Sequence, residues 1–144
     1  MADALMNSYR PVTIATGART SAERTPQKIA LREGARELSY ARLAERIDRA
    51  ATGAIHDLGL KRGNTVMLLA PNCLEYVEIV AGFAEAGIAV ATINPRQTAR
   101  EISAIAEDCA ARMVIAHPAV EELVQDAKLA SSERTLVLGE AYED

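Results

Sequence analysis

The chain has 144 residues, 49% of them hydrophobic and 25% charged, the proportions of one globular domain able to bury a sizeable core. That balance excludes a disordered, collagen-like or disulfide-scaffold protein. Four Tyr, one Phe and no Trp leave no aromatic platform for single-stranded nucleic acid, and a net charge of −4 gives no basic excess to draw nucleic acid in.

In chain order, residues 1–25 are a weakly patterned lead-in, in which Val12, Ile14, Ala15 and Ala18 could line a short helix ended by Pro26. Residues 26–59 read as a hairpin plus a helix. Lys28-Ile-Ala-Leu-Arg, a turn at Glu33-Gly34 and Arg36-Glu-Leu-Ser form the hairpin. Ser39 can cap the helix, whose apolar stripe Leu43, Ile47, Ala50, Ala54 and Leu58 recurs every three or four residues until Gly59 stops it. Arg42, Arg46 and Arg49, interleaved with Glu45 and Asp48, read as the solvated face of that helix. The charge is uneven along the chain, with 11 basic and 7 acidic side chains in residues 1–72 against 5 and 13 in residues 73–144, so the first half could face a phosphate, a membrane or an acidic neighbour.

From residue 60 to 144 the pattern becomes a series of strand–helix units. Apolar runs centred near Val66, Val90, Val114 and Val137 are spaced by 24, 24 and 23 residues. Between them lie helix starts: Asn72 with Glu75 and Thr98 with Glu101 have capping-box spacing, and Pro118 suits a first turn. Gly87 ends the helix that begins near Cys73. Continuously apolar strands are buried on both faces, which predicts an α/β fold with a parallel, doubly wound sheet flanked by helices and an N-terminal β-hairpin. The helices share no repeated signature, so a solenoid is not expected.

Cys73 and Cys109, 36 residues apart and without a CxxC pair, are predicted free thiols in helical segments, with no metal site. The longest hydrophobic stretch, Ala86 to Ile93, is far short of the ~20 residues of a membrane span. No apolar run of signal-peptide length opens the chain, so a cytoplasmic protein is expected.

Ligands of such a sheet bind beyond the carboxyl ends of its strands. Those ends hold Pro71, Asn72 and Cys73; Asn94, Pro95, Arg96 and Gln97; His117 and Pro118; Gly139 and Glu140. No glycine forms GxG or precedes Lys-Ser or Lys-Thr, so dinucleotide and P-loop fingerprints are missing. A phospho-receiver would place an aspartate at a strand end, where Ala70, Asn94 and His117 stand instead. His117 before Pro118 reads as a helix-start residue rather than a base, and His56 as packing or surface. Arg96 is the candidate binding residue: a guanidinium beside the helix start at Thr98 suits a phosphate, and equally a salt bridge or loop tether. No catalytic residue is assigned.

Six segments in order carry a family resemblance: Thr25-Pro-Gln-Lys-Ile-Ala-Leu, Leu38-Ser-Tyr-Ala-Arg-Leu, Leu58-Gly-Leu-Lys-Arg-Gly-Asn-Thr-Val, Pro71-Asn-Cys-Leu-Glu, Glu85-Ala-Gly and Asn94-Pro-Arg. Together they resemble the start of the adenylate-forming (AMP-binding) enzymes. Asn94-Pro-Arg followed by Glu101 is most similar to the acyl-CoA synthetase branch. One departure is Asn64, where the family usually has Asp. The resemblance implies that residues 1–144 are the N-terminal portion of a larger adenylate-forming domain. It implies a ligase that joins a carboxylic acid, of the fatty acyl kind, to CoA through an acyl-adenylate, using ATP and Mg²⁺. The family's Ser/Thr/Gly-rich phosphate loop and C-terminal lysine are not found here, so the isolated chain is expected to be inactive and to bind none of these cofactors. Arg96 is the one position carried over, as a contact to CoA phosphate. Apolar faces that would pack against the rest of such a domain predict self-association. The competing readings are a stand-alone binding or assembly module on the same scaffold, and a receiver or nucleotide-sensing domain.

Overall fold

A computed structural model describes residues 12–127 and 134–139; Glu140, among the residues discussed above, lies outside it, as does the start of the lead-in. The elements are α1 (Ile14–Arg24), β1 (Ile29–Glu33), β2 (Arg36–Ser39), α2 (Tyr40–His56), β3 (Thr65–Leu69), α3 (Leu74–Glu85), β4 (Ala89–Ile93), α4 (Ala99–Asp108), β5 (Met113–Ala116), a 3₁₀ turn (Pro118–Val120), α5 (Glu121–Asp126) and β6 (Arg134–Val137).

β1 and β2 pair antiparallel as a sheet of their own, with Glu33 opposite Arg36. Gly34 makes that tight turn possible, because its φ of 56° lies in the left-handed region. The other four strands form one parallel sheet in the order β4-β3-β5-β6. The chain runs outward from β3 to β4, then returns to the other side for β5 and β6. The order therefore reverses between β3 and β5, and this is the sheet's switch point.

Alternation along the strands divides the core into two layers. Val66, Leu68, Met113 and Ile115 face Ile79 and Phe83 of α3. Met67, Leu69, Val114 and Ala116 face Ile102 and Ala106 of α4 and Val124 of α5. Helices thus cover both faces, as the apolar runs predict. The burial expected of every strand holds only at the centre: β3 and β5 are buried almost throughout, while β4 and β6 are partly exposed. Both are outer strands, with one neighbour each.

A third apolar cluster, Ala15, Leu43, Ile47 and Ala81, joins α1, α2 and α3. The lead-in helix of residues 14–24 therefore has a buried seam, although Val12 and Ile14, expected to line it, are 78% and 61% exposed. α2 starts on Ser39, whose Oγ accepts from the Arg42 N–H at 3.3 Å. It ends at His56, short of the expected stop, with Asp57 as its cap and Gly59 following at φ 66°. α4 forms the predicted capping box: Thr98 Oγ1 accepts from the Glu101 N–H, and Glu101 Oε2 accepts from the Thr98 N–H at 2.8 Å.

Three expectations are corrected. Asn72 does not cap α3; Cys73 is the N-cap residue and makes no side-chain cap bond, and Glu75 accepts from Arg36 of the hairpin instead of closing a box with Asn72. The two thiols are not inside helices, since Cys73 starts α3 and Cys109 caps the end of α4. Arg46 is not part of a solvated face. Its side chain is 12% exposed and donates through Nε to Glu78 Oε1 at 2.6 Å, where Glu78 is 1% exposed.

Candidate functional site at the strand ends

The carboxyl ends of β3 and β5 lie side by side at the switch point, tied where the His117 N–H donates to the Leu69 carbonyl at 2.8 Å. Three helical starts face this edge, and a bare helix start would attract an anion. Each is already satisfied from within the chain. Glu33 Oε2, from the hairpin turn, accepts the Leu74 N–H of α3 at 3.2 Å. The Thr98–Glu101 capping box closes α4. His117 Nδ1 accepts from the Ala119 N–H at 3.1 Å, which makes His117 the helix-start residue its place before Pro118 predicts. His56 is an exposed residue in the last turn of α2.

The loop after β4 is folded on Asn94. Its Oδ1 accepts from the Arg96 N–H at 3.0 Å, and its carbonyl accepts from the Gln97 N–H at 3.1 Å. This turn projects Arg96 into solvent, and among the described residues its guanidinium makes no ion pair or hydrogen bond. Among the described residues no hydrogen bond or ion pair brings Arg96 beside His117 or Cys73. No group of three His, Cys, Asp or Glu among the described residues could hold a metal. The glycine-rich cradle that would hold a nucleotide's phosphates does not occur along the sequence. The strand-end residues of this chain therefore do not by themselves fit Mg²⁺-ATP.

The residues that sequence reasoning missed are acidic. Glu75 and Glu78 are buried on α3. Arg36, in the hairpin turn, reaches both Glu75 and Glu33. Burial pushes the Glu75 carboxyl up, but Arg36 and the backbone N–H outweigh it and hold the group below the ordinary value of 4.5. Arg19 and Thr13 likewise hold Glu85 low, and the Thr98 N–H and hydroxyl lower Glu101. A carboxylate whose folded value is depressed contributes stability that is complete above its unfolded value and vanishes as pH falls through the folded one. Thermal midpoints are therefore expected to fall as pH drops below about 4.5, and Glu75→Gln should flatten that slope. An identical acid profile in the variant would show that Arg36 does not hold Glu75 charged.

A cavity of about 570 Å³ opens elsewhere, beside α2, between Glu45, Asp48, Arg49, Leu58, Phe83 and Leu136. It borders the middle of β6, not the strand ends. Among the described residues no helix is long and apolar enough to cross a membrane.

The parallel sheet with helices on both faces and the separate antiparallel hairpin define an α/β domain. Residues 18–143 match the AMP-binding enzyme family, so the chain belongs to that family. It is 31% identical over 119 residues to "4-coumarate--CoA ligase-like 9" of Oryza sativa subsp. japonica, covering 81% of this chain and 21% of that protein. Over 86 residues it is 34% identical to the mitochondrial medium-chain acyl-CoA ligase of Homo sapiens, covering 58% of this chain and 14% of that one. A fatty acyl CoA synthetase of Mycobacterium tuberculosis superimposes with a TM-score of 0.84 at 24% identity, over 92% of this chain and 28% of its own, and so shares the fold. The chain thus spans about a fifth or less of the length of these curated relatives.

Proposed function

We propose that this chain is the opening part of the large domain of an ATP-dependent carboxylic acid–CoA ligase with a fatty acyl substrate. The observation that carries the reading is the family match, which runs through nearly every described element. Relatives named as acyl-CoA and long-chain-fatty-acid ligases support the acyl class, as does the Asn94-Pro-Arg segment followed by Glu101. In such a ligase a carboxylate displaces pyrophosphate from ATP, and the CoA thiol then displaces AMP.

This chain's contribution is scaffold and edge. The sheet sets the switch point, and Arg96 offers its guanidinium to a phosphate of CoA. In a ligase that includes this segment, Arg96→Ala should raise KM for CoA about tenfold, the loss of one charge-assisted bond, with KM for ATP and the thermal midpoint unchanged. An unaltered KM for CoA would remove Arg96 from the binding site. Failure of that ligase to form an acyl thioester from fatty acid, ATP and CoA would overturn the activity itself.

The isolated chain is expected to self-associate. Among the described residues β4 and β6 each pair with one strand only, and Val12, Ile14, Ile29 and Ile55 are exposed. Sedimentation should show mass growing with concentration, and a constant monomer mass would contradict it.

A further inference from the structure

The amino end of α3 has no cap of its own, and what closes it comes from 41 residues away in the chain. Glu33 Oε2 takes the Leu74 N–H and also accepts from Arg36 Nη1, each at 3.2 Å, while Arg36 Nη2 donates to Glu75. One guanidinium and two carboxylates therefore fasten the hairpin turn onto the first turn of α3. The preceding loop, Ala70 to Cys73, is the carboxyl-end loop of β3 at the switch point.

The fastening is uneven. Glu75 is 12% exposed, but Glu33 and Arg36 are 35% and 54% exposed. Pairs open to water on one side are weak, and a weak tether lets go in local fluctuations well before the whole domain unfolds. Cys73, next to Leu74 and two residues before Glu75, has 9% of its surface exposed. Burial pushes the Cys73 thiol above its ordinary value, and the Glu75 and Glu33 charges add to this while the Tyr76 backbone opposes it. The thiol is thus shielded and held in its neutral form while these contacts hold.

We propose that the hairpin turn is a strap over the ligand-facing edge of the sheet: Glu33, Arg36 and Glu75 hold the amino end of α3 and loop 70–73 in place, and releasing them opens that loop and uncovers Cys73 without unfolding the domain. The proposal stands on these contacts alone and does not depend on the ligase reading. Through the strap, the position of the hairpin sets the shape of the switch-point edge.

The test uses the 144-residue chain with one thiol at a time. Cys109→Ser leaves Cys73, and Cys73→Ser leaves Cys109, which sits against the opposite core layer. The rate of labelling by a small neutral disulfide reagent is measured for each thiol with and without Arg36→Gln. The strap predicts that Cys73 labelling rises at least about tenfold, the worth of one of the two charge-assisted bonds that Arg36 makes, with the Cys109 rate unchanged. Arg36→Lys should restore part of the protection. Arg32→Gln is the control, because it removes only the exposed pair to Glu37 on the same hairpin, and it should leave Cys73 as it was. Equal acceleration of both thiols, or of neither, would overturn the proposal, since Cys73 would then be protected by global stability alone. Amide exchange at Leu74 in Glu33→Gln gives a second readout: it should quicken relative to Leu60, whose N–H bonds to the Ala54 carbonyl. Equal exchange at the two sites would count equally against the strap.

Discussion

Arg46→Ala should lower the unfolding free energy by about 3–5 kcal/mol, the cost of stripping a partner from a buried ion pair. Glu78 is fully buried on α3, and the Arg46 guanidinium reaches it from α2 at 2.6 Å. Losing that cation takes from a fully buried carboxylate the guanidinium that donates to its Oε1, and the desolvated charge is then less well compensated. The exposed pair between Arg19 and Asp48 is a contrast at 38% and 57% side-chain exposure, and Asp48→Ala should cost no more than about 1 kcal/mol. Replacing both partners by Arg46→Met and Glu78→Leu should recover most of the loss, because no charge is then left buried. Urea denaturation of the four chains checks this. A loss in Arg46→Ala no larger than in Asp48→Ala would show that the pair does not hold α2 on α3.

Gly82→Ala should destabilise the domain by about 1–3 kcal/mol, although Ala is ordinarily the better helix residue by about 1 kcal/mol. The reason is the crossing of α2 and α3. A Cβ at position 82 would stand 2.7 Å from the Ile47 carbonyl oxygen, 2.8 Å from Ala50 Cβ and 3.0 Å from the Ala51 nitrogen. Two of those three atoms are backbone, so relief requires the helices to move apart, which opens the layer around Ile47 and Ala81. Gly17 in α1 is the internal comparison, since a Cβ there meets nothing within 4 Å. Gly17→Ala should follow propensity and raise the thermal midpoint while Gly82→Ala lowers it. A rise in both would mean that α3 can withdraw from α2 freely.

The central layer was legible in the sequence because burial on both faces leaves an unbroken apolar run, and β3 and β5 are such strands. The Thr98–Glu101 box was legible because both partners belong to one turn. Asn72 and Glu75 have the same spacing, yet the box does not form there, since Arg36 from the hairpin claims Glu75. That competition is tertiary and leaves no local trace. Arg46 was misread as solvated because its neighbours Glu45 and Asp48 are charged and exposed. A signal was nevertheless present: α3 is apolar nearly all round, so acids at 75 and 78 had to be buried and needed cations. Arg46, three residues after Leu43 and beside Ile47, lies on the matching face of α2. Of the candidate site, the loop carrying Arg96 was legible from its place after β4. The closed helix starts were not, because Glu33 and His117 act as caps only once the fold brings them there.

We propose that this chain is a framework that offers Arg96 at its ligand edge and leaves the steadying of a transferring phosphate to other parts of the ligase. Pyrophosphate release by the purified 144-residue chain, supplied with a fatty acid, ATP, Mg²⁺ and CoA, puts that to the test. No release above the enzyme-free rate is the predicted result. Sustained release that requires both the fatty acid and ATP, and survives removal of trace contaminants, would contradict it.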